Sequence, residues 1–134
     1  TLSPSSAASD VYKRQLNVLE KNIQDYAHNV TRFLVISLED SQPTGNDKTS
    51  ILFSLKDRVG ALHDALAPFK RYQINLTKIE SRPSRKRAWE YFFFVDFEGH
   101  RTQRKIKLAL KELEKECLFL KILGSYPKEI EKYV

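Results

Sequence analysis

The chain is short of the features that announce most chemistries. Cys117 is its single cysteine among 134 residues. No internal disulfide can form, and a reducing compartment, the cytoplasm, is the expected setting. The longest apolar runs fall far below the length needed to cross a bilayer, so no membrane partner is expected. No charged leader followed by an apolar stretch opens the chain, so no secretory signal is expected. Only four glycines are present, and none sits in a phosphate-cradling loop. His28, His63 and His100 lie far apart, without metal-ligand spacing. No metal and no cofactor are expected.

What remains is ordinary globular material. Apolar residues make up 41 %, enough for one core and too many for disorder throughout. The net charge of +6 suits an anionic partner, and equally a soluble protein with none.

Residues 1–15, TLSPSSAASDVYKRQ, are small, polar and unperiodic up to Val11. They read as an arm, disordered or foreign to the natural protein, and are set apart from the fold. Residues 16–38 form a remnant of another domain. Leu16, Leu19 and Ile23 recur at helical spacing, and TRFLVI, residues 31–36, reads as a brief strand. Residues 37–48 have a polar, Pro- and Gly-containing character, and a linker is placed at 39–47.

From residue 48 to 128 the pattern is regular, with a short tail at 129–134. Ile51, Phe53 and Leu55 alternate on a strand. Asp57 is a candidate cap for a helix whose stripe is Leu62, Ala65, Leu66 and Phe69. Pro68 should kink or shorten its last turn. A second strand, QINLTKIES, stops near Pro83, and a third, AWEYFFFVDF, follows the basic connection SRPSRKR. Ile106, Ala109, Leu110, Leu113 and Cys117 mark one face of a second helix, where Cys117 reads as a buried structural thiol. LFLKILGSY is the last strand. The order β-α-β-β-α-β predicts an α+β, ferredoxin-like fold: a four-stranded antiparallel sheet with both helices on one face. Phe92 and Phe94 then point away from the helices and need a second cover, as an interface would supply.

Arginines next to aromatics raise the question of RNA, because a common RNA-binding module shares this order of elements. Its third-strand motif fails here. Glu90 stands at the basic position, and Tyr91 and Phe93 fill the two positions that must be small. Arg85, Lys86 and Arg87 read as a solvated hairpin connection, and no nucleic-acid partner is expected.

Two stretches carry a specific resemblance. Gly60-Ala61-Leu62 opens a helix after a strand, within VGALHDAL. Glu80-Ser81-Arg82-Pro83 ends the next strand, within INLTKIESRPS. They resemble the ACT domain of the phenylalanine-sensing family, shared by prephenate dehydratases and aromatic amino acid hydroxylases. The resemblance covers residue 48 to about 128. A glycine at a helix start lets a ligand approach the backbone, and the amides there suit a carboxylate. The Asn75 side-chain oxygen could accept from an ammonium, and Leu62 and Leu76 could line an aromatic pocket. The resemblance implies a homo-oligomer that binds L-phenylalanine between two ACT domains. Gly60, Ala61, Leu62, Asn75, Leu76, Thr77, Glu80, Ser81, Arg82 and Pro83 would contribute. Glu80 and Arg82 could also be an ordinary surface pair.

The parent enzyme is read from residues 16–36, which resemble the end of a prephenate dehydratase catalytic domain. Asn29-Val30-Thr31-Arg32-Phe33 matches that family's Asn-x-Thr-Arg-Phe motif. The resemblance implies that prephenate is the substrate, turned into phenylpyruvate, water and carbon dioxide in phenylalanine biosynthesis. Thr31 would protonate the departing hydroxide, Arg32 would hold either the motif or a substrate carboxylate, and Asn29 would orient the loop. The alternative is a free-standing or hydroxylase-type ACT module. Without the rest of a catalytic domain, this chain is expected to be inactive alone.

Overall fold

A computed structural model of the chain describes residues 17–28, 31–85, 87 and 90–129. The chain divides into two units, Thr1–Ile36 and Ser37–Val134. The described residues of the first unit contain neither helix nor strand, which corrects the expected helix around Leu19 and the strand at 31–36. The reason is physical. A two-turn helix cannot offset its nucleation cost without a surface to bury its stripe, and Leu19, Val35 and Ile36 are almost fully exposed.

The second unit holds β1 (Asp47–Leu55), α1 (Ala61–Arg71), β2 (Leu76–Pro83), β3 (Tyr91–Glu98), α2 (Arg104–Glu116) and β4 (Cys117–Pro127). The strands form one antiparallel sheet in the order β2-β3-β1-β4, the ferredoxin-like arrangement expected. Period-two alternation decides the faces. Ile51, Phe53, Val95 and Phe97 are buried on the inner face with Ala65 and Phe69 of α1 and Ile106, Ala109, Leu110 and Leu113 of α2. Phe53 stacks on Phe93 at 5.4 Å, and Phe69 meets Phe97 at 5.3 Å.

Three local expectations are corrected. Asp57 does not cap α1; Gly60 occupies the cap position, without any side-chain cap. Pro68 lies inside α1, yet the helix runs on to Arg71. Its stop comes from Gln73 at φ 54°, with Tyr72 N–H donating to Pro68 O and Ile74 N–H to Phe69 O. Cys117 begins β4 rather than ending α2. It is half-buried, and burial pushes its thiol up to about 12, which suits an inert structural role.

β1 also starts inside the stretch expected to be a linker. Asp47, 4 % exposed, accepts hydrogen bonds from the Thr44 hydroxyl (2.6 Å) and from the Thr44 and Gly45 amides. Burial pushes its carboxyl up, but those three donors outweigh burial and hold it below the ordinary carboxylate value.

The outer face carries Phe92, Phe94 and Phe119. Phe92 and Phe119 meet edge to face at 6.4 Å, and Phe94 is exposed. The Ser54 hydroxyl is buried beside them without a partner among the described residues.

Replacing Phe53 by alanine is expected to lower stability by about 3–5 kcal/mol, because the ring is wholly buried between sheet and helices. Urea unfolding checks this; a loss below about 1 kcal/mol would contradict a core centred on this residue.

Candidate ligand-binding site

The turn from β1 into α1 carries a glycine for a conformational reason. Gly60 sits at φ 77°, ψ 5°, in the left-handed region where other L-residues are strained. A Cβ there would meet nothing within 4 Å, so the space in front of this backbone is open. Ala61 N–H donates back to Arg58 O, and the first i→i−4 bond runs from Asp64 N–H to Gly60 O. Helix geometry therefore gives the Leu62 and His63 amides no carbonyl within α1. Their dipoles, with the helix end, favour an anion.

These groups border a concavity of about 180 Å³ lined by Leu55, Lys56, Asp57, Arg58, Ala61, Leu62, Tyr91 and Phe93. One wall is apolar and aromatic; the other is charged. Arg58 stands at its mouth and spans two elements, reaching Asp64 of α1 and Glu116 of α2, each at 2.9 Å. The hydrogen bond to Arg58, with a weaker one to His63, holds Asp64 below the ordinary carboxylate value. The volume is below the ~300 Å³ at the low end of small-molecule sites, so the concavity alone does not enclose a ligand.

The residues expected on β2 do not all join it. Pro83 pairs with Tyr91 and Ser81 with Phe93, at the cavity end of the sheet. Asn75, Leu76 and Thr77 lie at the other end, where Leu76 pairs with Phe97. Seven strand residues separate the two ends, roughly 23 Å. Asn75 is engaged there: its carbonyl accepts from Glu98 N–H (2.9 Å), and its side chain bonds the Glu98 carboxylate. Glu80 and Arg82 stand across from Phe94 and Phe92, on the outer face. They pair at 3.4 Å, with Lys78 on the other Glu80 oxygen. That is the geometry of a surface pair.

Of the residues singled out in the sequence, Ala61 and Leu62 line this concavity and Gly60 lies beside them, while Lys56, Arg58, Tyr91 and Phe93 line it without having been singled out as ligand residues. The alternation of β3 placed the two aromatics on one face. What the sequence could not show was that this face ends beside the α1 turn.

In the first unit, Thr31 and Arg32 lie on exposed, irregular chain. Asn29 lies outside the described residues. Among the described residues no group of His, Cys, Asp and Glu is arranged to hold a metal. No helix among them is long and apolar enough to cross a membrane.

Comparison with known proteins gives the family. The ACT domain profile matches residues 49–115, half of the chain, and the prephenate dehydratase profile matches residues 3–41. The second match begins inside the stretch set apart above as an arm. The chain is 58 % identical over 127 residues to the bifunctional chorismate mutase/prephenate dehydratase of Aquifex aeolicus, a match covering 93 % of the chain and 35 % of the relative. It is 41 % identical to the prephenate dehydratase of Methanocaldococcus jannaschii, covering 95 % of the chain and 47 % of the relative. Among solved structures, the Arthrobacter aurescens prephenate dehydratase in complex with L-Phe superposes with a TM-score of 0.62 at 36 % identity, covering 67 % of the chain and 30 % of that one. The chain belongs to the ACT domain family. Within it, the chain joins that domain to the end of a prephenate dehydratase domain, and spans between 30 % and 47 % of these relatives' length.

Arg58→Ala is expected to raise the titration midpoint of Asp64 toward the ordinary carboxylate value, read by carboxyl NMR. The sign follows from linkage. A lowered folded value means the pair stabilises above the unfolded midpoint and is lost as pH falls through the folded one. An unmoved Asp64 titration would show that the guanidinium does not hold it.

Proposed function

We propose that the chain is the regulatory end of a prephenate dehydratase, in which the ACT module binds L-phenylalanine and restrains the catalytic domain before it. The observation that carries this reading is the half-built cavity at Gly60. Its helix amides and Arg58 suit a carboxylate, and Leu62, Tyr91 and Phe93 suit an aromatic ring. The ammonium acceptors expected at Asn75 lie at the far end of β2. A second copy, turned about a two-fold axis, can bring its own Asn75, Leu76 and Thr77 to the open side. Val59, fully exposed at this turn, and Tyr91, 46 % exposed, are apolar surface that such a copy would cover. Ser81 and Pro83 would border the same crevice. The Arthrobacter enzyme solved with L-Phe, and the dehydratase names of the relatives, support the choice of ligand and parent.

In the complete enzyme, the electron pair of the departing carboxylate's C–C bond aromatises the ring, and the ring C–O bond breaks. Thr31 protonates the leaving hydroxide, which departs as water, while Arg32 holds the motif or a carboxylate of prephenate. Phenylalanine inhibits because it binds two arrangements of the ACT pair unequally, a coupling of typically about 1–3 kcal/mol.

Calorimetry should show phenylalanine binding to the 134-residue chain, with sedimentation shifting to a dimer or larger assembly. Gly60→Val should abolish both, since a β-branched residue at positive φ is strained by about 1–2 kcal/mol or more and its side chain fills the carboxylate position. Phenylalanine held by a monomer would refute the shared site.

The same chain should show no prephenate dehydratase turnover by phenylpyruvate absorbance. Measurable turnover would mean that the catalytic machinery does not need the rest of the dehydratase domain.

A further inference from the structure

We infer that residues 37–46 are a strap latched onto the sheet, and that the latch couples the Gly60 cavity to the segment bearing Thr31. This rests on the cavity being the ligand site. The composition of the stretch suggests a loose tether, but its contacts do not. The Asp40 carboxylate accepts from Arg101 Nη1 at 2.8 Å and, at 3.4 Å, from the Ser125 amide of β4. His100, 2 % exposed, donates from Nε2 to the Ser41 carbonyl at 2.9 Å. Its tautomer is fixed by the Thr102 amide, which donates to Nδ1 at 3.2 Å. A Cβ at Gly124 would come within 3.3 Å of Asp40 Oδ1, so glycine keeps that approach comfortable.

The anchor is itself buried and bonded. The Thr49 hydroxyl donates to Gly99 O at 2.7 Å and lies 2.8 Å from the Ser125 hydroxyl, which accepts from Arg101 N–H. Lys128 N–H closes the strap's end on Asn46 O at 2.8 Å. A buried histidine is favourable only with its ring nitrogens satisfied, and this one is used to hold backbone just ahead of the sheet.

The anchor leads back to the cavity through one rigid element. Gln103 N–H donates to His100 O, and α2 starts at Arg104. Its thirteen residues run roughly 20 Å to Glu116, whose carboxylate holds Arg58 at the cavity mouth. A ligand carboxylate competes with Glu116 for that guanidinium. Releasing or pulling the far end of a packed helix biases the turn on which the strap is latched. From the strap, the chain continues through Ile36 to Arg32 and Thr31.

Hydrogen exchange of the 134-residue chain, followed by mass spectrometry, tests this in two arms. Without ligand, residues 37–46 should be protected. Arg101→Ala, which breaks the latch, and Arg58→Ala, which breaks the distant pair, should each speed their exchange by roughly threefold or more. No change with Arg58→Ala, or no protection in the parent chain, overturns the inference. With phenylalanine, exchange of the strap should change in the parent chain. Arg101→Ala should bind phenylalanine within roughly twofold of the parent by calorimetry while its strap stays unresponsive. A strap that responds equally in that variant overturns the coupling. A parent chain that binds no phenylalanine refutes the site reading instead, and the ligand-free arm still decides the latch.

Discussion

Everything this domain can hold depends on how β1 hands over to α1. The strand must end with Leu55 buried, and the helix must begin one short turn later with its axis lying on the sheet. A left-handed residue makes the corner, and only glycine makes it without strain. The consequence is electrostatic as much as steric. The corner turns the open end of α1 outward, with no side chain in front of it and no polar side chain capping it. A helix start capped by glycine instead of Ser, Thr, Asp or Asn forfeits roughly a few tenths of a kcal/mol. A ligand carboxylate can restore that interaction, so the same omission that weakens the empty helix end suits it to an anion.

The fold was legible because its signals agree at several scales. Ile51, Phe53 and Leu55 alternate, and so do Phe93, Val95 and Phe97. Ile106, Ala109, Leu110 and Leu113 keep helical spacing, and all ten are buried or packed on the core. Local signals were less dependable where a neighbour could replace them. Asp57 was a plausible cap, but the Gly60 corner moved the helix start past its reach. Pro68 was a plausible stop, but tertiary packing of Phe69 held the last turn, and Gln73 ended it. The remnant before residue 37 failed for the opposite reason: its apolar pattern is present, but its described residues have no surface to bury it on.

The site was legible only as a motif. Gly60, Ala61 and Leu62 are contiguous, so sequence finds them together. Arg58 is two residues away and unremarkable in a chain with many basic residues. Its meaning comes from Glu116, fifty-eight positions on, which no spacing rule connects to it. Asn75 shows the converse. It sits close in sequence to the second motif, yet an antiparallel sheet puts the two ends of β2 beside different parts of the molecule. Strand register converts a short sequence separation into a large distance, and divides the proposed ligand residues between the two ends of β2.

Under the proposed function, that division is the reason the sensor would work as an assembly. A cavity complete within one copy could bind its ligand without moving anything, because all its walls belong to one packed core. A cavity whose walls belong to two cores makes ligand binding inseparable from how the cores meet. The charged wall adds a second requirement. Arg58 is shared between α1 and α2, so a carboxylate arriving there, as proposed, would change the balance between two helices rather than one loop. Since α2 packs through Ile106, Ala109, Leu110 and Leu113 along one face, it responds as a unit, not residue by residue. On the proposed coupling, the outcome of binding would be carried to the turn at His100, which holds the backbone of the strap.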